Sequence, residues 1–135
     1  MASIRKEVAL DATPEHVWDA LRDVGALHTR LVSGFVTDCR LDGDARIVTF
    51  ANGVVAREVI VDVDDASRRV VWTAVGGRLS HHNASAQVFA AEGGRSRVVW
   101  IADLLPNEMA PAIAGMIEHG LGAMKTTLEA SARAA

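Results

Sequence analysis

The chain has no tyrosine and a single cysteine among its 135 residues. Without a phenol, any mechanism that needs tyrosine as an acid or hydrogen-bond donor is excluded. With Cys39 alone, no internal disulfide forms and no cysteine-based zinc site is available. There is no run of 18 or more apolar residues, so no segment reads as a membrane-spanning helix. The opening Met1-Ala2-Ser3-Ile4-Arg5-Lys6-Glu7 lacks the apolar core of a secretory signal. Lys and Arg are scattered and the net charge is −3, which argues against a nucleic-acid partner. Glycine-rich phosphate loops, serine-nucleophile motifs and dinucleotide fingerprints are also missing. These absences lead to the expectation of a cytoplasmic protein forming one domain, 1–135, without a cofactor.

What the chain does have is patterning. Half of it is hydrophobic, enough for a sizeable core. From Met109 to about Arg133, apolar residues recur at Met109, Ile113, Met116, Ile117, Leu121, Met124 and Leu128, which is helical spacing. Ahead of this helix the sequence alternates. Residues 3–10 read as a strand. Thr13-Pro14-Glu15 then starts a helix, with Thr13 as cap and Pro14 suited to the first turn, and Gly25 ends it. A second short helix follows over 26–32.

Six strands come next, at 35–41, 45–51, 54–63, 69–75, 82–91 and 96–105, separated by Asp42-Gly43-Asp44, Asn52-Gly53, Asp64–Ser67, Gly76-Gly77 and Glu92-Gly93-Gly94. Asn52-Gly53 is the strongest hairpin signal, because both residues tolerate positive φ. Every connection is too short for a parallel crossover, so the sheet is antiparallel. The expected fold is α+β: a curved seven-stranded sheet around a long C-terminal helix, with two short helices after the first strand. Gly120 lies mid-stripe, where it signals either close packing of helix on sheet or a vacancy between them.

The order and spacing of several pieces resemble the helix-grip superfamily of START-type proteins, in its polyketide cyclase/dehydrase and lipid-transport branch. The pieces are Ala12-Thr13-Pro14-Glu15-His16-Val17-Trp18-Asp19-Ala20-Leu21, then Arg57-Glu58-Val59-Ile60 with Asp64-Asp65 and Arg68-Arg69-Val70, and Arg95-Ser96-Arg97-Val98-Val99-Trp100 leading to Pro106. The segment Val75-Gly76-Gly77-Arg78-Leu79 is also similar to the latch of plant hormone receptors in the same superfamily. That likeness implies a pocket-edge loop there. The matching gate would fall near Ala51 to Val55, where Asn-Gly makes a tight hairpin instead.

Strand parity then nominates the residues of a cavity. Both faces of 54–63 are apolar; the resemblance turns the Glu58 face inward, with Trp72 and Ala74 on the next strand and His82, Ala84, Ala86 and Val88 on the one after. Small Ala84 and Ala86 leave room. On 96–105, Val99, Ile101 and Asp103 are taken inward, although Val98, Trp100 and Ala102 make an equally apolar face. Glu58 and His82 are the candidate acid and base, or else a polar pair that orients a ligand.

Candidate wall residues are Trp72, Arg78, Leu79, Met116, Ile117, Gly120 and Met124, with His28 at the mouth. Neighbours His81 and His82 diverge on a strand, so no metal is expected. Three functions fit: a carrier, sensor or lipid-transport-like protein, monomeric or dimeric, for a small hydrophobic or amphipathic molecule; a cyclase or dehydratase using the same cavity; or a protein-interaction module.

Overall fold

The computed structural model describes residues 1–134. Strand β1 (Ala2–Leu10) leads to helix α1 (Pro14–Leu21) and a π-helical turn, Leu27–Leu31. Then follow β2 (Val36–Asp42), β3 (Ala45–Phe50), β4 (Val55–Asp64), β5 (Arg69–Val75), β6 (His81–Ala90), β7 (Ser96–Leu105) and the long helix α2 (Ala110–Ala134). The seven strands form one antiparallel sheet in the order β1-β7-β6-β5-β4-β3-β2. Ile117, Leu121, Met124 and Leu128 of α2 join the same buried core as Val70, Trp72, Ala84, Ala86, Val98, Ala102 and Leu104 of the sheet. This is the helix-grip arrangement.

The local chemistry follows the residues. Thr13 Oγ1 accepts the His16 N–H at 3.2 Å, capping α1. Trp18 Nε1–H and Arg22 Nε–H both donate to Asp65 Oδ1 at 2.9 Å, tying α1 to the β4–β5 turn. Val32 N–H reaches back to Leu27 O at 2.8 Å, an i→i+5 bond that makes the turn before β2 π-helical rather than α-helical.

Three departures from the alternating pattern shape the interior. The Asn52-Gly53 hairpin has three loop residues, not two. Phe50 N–H donates to Val54 O at 2.8 Å, Gly53 N–H donates to Phe50 O at 2.9 Å, and Gly53 takes φ +89°. Thr49 therefore pairs with Val55, and Arg46 lies directly opposite Glu58. A two-residue loop would have set Arg46 against Val59.

The second departure is a bulge between Ile60 and Asp62 that ends the alternation of β4 and leaves Val61 and Asp62 both exposed.

The third is the facing of β7. Val98, Ala102 and Leu104 are fully buried in the core on the same side of β7 as Trp100, so the expected inward set Val99, Ile101 and Asp103 is corrected to the other parity. Ile101 is solvent-facing, and Val99 is buried on the opposite face between Glu7 and Gln87. The β6–β7 turn pairs Ala90 with Ser96, which gives Ala84 and Ala86 the partners Ala102 and Trp100 on the same side of the sheet.

Candidate functional site

A cavity of about 650 Å³ lies between the sheet and α2. Its walls are largely apolar: Trp72, Ala86, Trp100, Met116, Ile117 and Met124 are among them. Its rim is formed by the β3–β4 loop at Asn52 and Val54, the β5–β6 loop from Gly76 to Leu79, and the first turns of α2 at Met109 and Ala112. The loop expected at the pocket edge is thus at the edge, with Arg78 and Leu79 both facing the space.

Polar side chains enter the cavity in one lateral row across the sheet. Cross-strand pairing aligns Arg46 on β3 with Glu58 on β4, and Glu58 with Ala74 on β5. Beyond Ala74, on β6, comes His82. Arg46 Nε–H donates to Glu58 Oε1 at 2.8 Å, and both side chains are almost wholly buried, 5% and 11% exposed. Arg46 Nη1–H also reaches Val24 O at 3.3 Å, and the guanidinium lies over the Trp72 ring, 5.3 Å from its centroid. Trp72 in turn meets Trp100 edge to face, 5.7 Å between ring centroids.

His82 stands in for backbone at the edge of a ladder. The β5–β6 pairing stops at Trp72 and Ala84. Past that point the Ala74 N–H donates to His82 Nδ1 at 2.9 Å, and Thr73 Oγ1–H donates to His82 O. A side-chain nitrogen has replaced the strand's carbonyl, and the strands part where the cavity begins. Because a backbone N–H can only donate, Nδ1 must be the acceptor, so the neutral ring carries its proton on Nε2. Glu58 and His82 are separated by one strand, roughly 10 Å at the backbone from two strand spacings. They face one space without bonding each other.

Burial holds the His82 pKa below the ordinary imidazole value of 6.5; Glu58 pulls it back up and His81 pushes it down. Protonation would also set a new N–H against the Ala74 N–H. The folded state therefore prefers neutral His82. Its contribution is complete above pH 6.5 and is lost as pH falls through the lower folded value. Urea midpoints measured across this window should decline in the wild type and decline less in His82→Gln. Parallel profiles would refute the assignment.

Several expected wall residues lie elsewhere. Ala84 is buried beneath the cavity surface and does not line it. Gly120 is close packing, not vacancy: a Cβ there would come within 2.8 Å of Trp100 Cζ3 and 3.3 Å of Phe35 Cε2. The empty space lies mostly beside the first half of α2. Val99 and Ile101 are outside it, on the opposite face of β7. His28 also misses the cavity, since π-helical spacing turns Leu27, Leu31 and Val32 inward instead. His28 Nδ1 is buried without a partner among the described residues.

Arg57 is on the outer face, paired with Asp42 at 2.6 Å. Burial raises the Cys39 thiol pKa, and Sγ–H donates to Val24 O at 3.7 Å, which disfavours the thiolate. Among the described residues, no cluster of three His, Cys, Asp or Glu could hold a metal, and no helix is long and apolar enough to cross a membrane.

Comparison with known proteins gives the arrangement a setting. A family model described as polyketide cyclase/dehydrase and lipid transport matches residues 1–129. None of the curated proteins matches this sequence. Among solved structures, an uncharacterised protein from Bacillus thuringiensis superposes with a TM-score of 0.83 at 18% identity, over 94% of this chain and 98% of that one. A START superfamily protein from Mycobacterium smegmatis gives 0.74 at 11% identity, over 98% and 97%. A norcoclaurine synthase point mutant from Thalictrum flavum, in complex with a transition-state analogue, gives 0.73 at 18%, over 98% and 94%. At these identities the likeness is one of fold.

Proposed function

We propose that this chain, which belongs to the polyketide cyclase/dehydrase and lipid-transport family, binds a small, mostly hydrophobic molecule in the cavity between its sheet and α2. It would act in the cytoplasm as a carrier or sensor. The observation that supports this most directly is the cavity itself: about 650 Å³, apolar walls, and one polar row at Arg46, Glu58 and His82. That combination of volume, greasy lining and a few placed polar groups is what small-molecule sites have in common. Apolar burial, at about 25 cal/mol per Å², supplies affinity, and the row orients the polar end. An interaction module would need a filled interior and a broad outer patch, so the open interior weighs against it.

Native mass spectrometry of protein purified from its own host should find a retained small molecule. Trp72 and Trp100 line the space, so ligand uptake should change tryptophan emission. Ala74 lines the cavity between Glu58 and His82. Ala74→Phe should fill that gap and weaken binding at least tenfold while leaving the melting temperature close to wild type. Unchanged ligand binding in Ala74→Phe would rule the cavity out as the site.

The cyclase or dehydratase reading uses the same row. Glu58 would accept a proton from substrate, and the His82 Nε2–H would hydrogen-bond the oxygen on which charge develops. What favours it is that both groups face one space from strands on either side of β5. It requires that Glu58→Gln abolish turnover while binding and folding persist.

A further inference from the structure

We infer that the cavity selects a neutral ligand carrying a hydroxyl group and discriminates against a carboxylate of the same shape. This rests on the cavity being the ligand site. The cation inside is Arg46, only 4% exposed, and its charge is already matched by Glu58 at 2.8 Å. The buried row is therefore close to neutral overall. A ligand carboxylate placed there would give up its hydration and sit beside a second anion with one cation between them. Burial of an ion is costly unless it is paired, and here the pairing is already used.

A hydroxyl meets a different situation. Glu58 Oε1 is occupied by Arg46, while Glu58 Oε2 has no hydrogen-bond partner among the described residues. His82 Nδ1 is occupied by Ala74, while Nε2 has no partner among the described residues. Neither free atom is sealed away from solvent-sized space, and both residues line the cavity. The row thus offers one acceptor and one donor. A hydroxyl can donate to the first or accept from the second; an ether or ketone uses the His82 proton alone.

The competing pose for an acid is reversed, with the carboxylate at the mouth near Arg78. That residue is exposed and enters no ion pair among the described residues. A contact made in water is weak, and it can be removed without touching the row.

The test is calorimetric titration of the intact protein at pH 7.5 with 2-naphthol, 2-methoxynaphthalene and 2-naphthoate. We expect 2-naphthol to bind at least tenfold tighter than either of the others, and Arg78→Ala to weaken only the naphthoate. In Glu58→Gln, which frees the Arg46 charge, naphthoate should gain at least tenfold relative to 2-naphthol. If that variant does not fold, the wild-type order decides. Naphthoate binding as tightly as 2-naphthol to both the wild type and Arg78→Ala would overturn the inference and leave the cavity reading intact. Failure of all three probes to bind would count against the cavity reading as well.

Discussion

Replacing Arg46 with methionine is expected to destabilise the fold by about 3–5 kcal/mol, and adding Glu58→Met is expected to recover most of that loss. The two side chains are desolvated together, and each is the other's compensation. Removing the guanidinium strands the Glu58 carboxylate in an apolar wall and deprives the Trp72 ring of its cationic cover. Removing both leaves methionines that can fill the space with flexible apolar chains. Buried ion pairs elsewhere behave this way because desolvation consumes most of their mutual attraction. Urea denaturation of the two single variants and the double variant closes the cycle. An Arg46→Met protein within about 1 kcal/mol of wild type would show that water reaches the pair and screens it. The same result would leave the row too wet to reject a ligand carboxylate.

Arg46 is also the site residue that the alternation of the sequence did not bring forward, and the reason is a single loop residue. Asn52-Gly53 reads as a two-residue hairpin, and that reading places Arg46 opposite Val59. The extra residue taken up by positive-φ Gly53 slides β3 by one position and delivers Arg46 to Glu58. Once Glu58 is turned inward, an arginine one hairpin away with Val48 and Phe50 on its own face is the signal to look for.

The facing of β7 had a comparable signal. Centring the Glu92-Gly93-Gly94 turn on Gly93 pairs Ala86 with Trp100 and Ala84 with Ala102, which settles the parity that hydrophobicity left open. Composition could not settle it, because Val99 is buried on the convex side as thoroughly as Trp100's neighbours are on the concave one. Strand positions, turn positions and the grip of α2 were legible because each rests on local periodicity. Register, bulges and the parting of β5 from β6 were not, because they depend on which carbonyl or imidazole satisfies a given N–H.

Gly120→Leu is expected to cost about 3 kcal/mol, near the upper end for overpacking a core, and Gly120→Ala a smaller but real loss. In a helix interior, Gly→Ala ordinarily gains about 1 kcal/mol. Here the added carbon would lie 2.8 Å from Trp100 Cζ3 and 3.2 Å from Cη2. The indole abuts Trp72, which is backed by Arg46, so it can retreat only toward the cavity and at the expense of that aromatic pair. A longer side chain at 120 must therefore lift α2 from the sheet or disturb the aromatic pair at the cavity wall.

Gly115 and Gly122 supply the control within the same helix. A methyl carbon added at either would meet no packing neighbour within 4 Å among the described residues, so Gly115→Ala and Gly122→Ala should each stabilise by up to about 1 kcal/mol. Thermal denaturation of the four variants gives the comparison directly. Opposite signs for position 120 and the two control positions would show helix meeting sheet in contact at Gly120, with the free volume lying mostly beside Met109, Ile113 and Met116. A stabilised Gly120→Ala would mean that α2 sits farther from Trp100 than 2.8 Å implies, and the cavity would then extend along the whole helix.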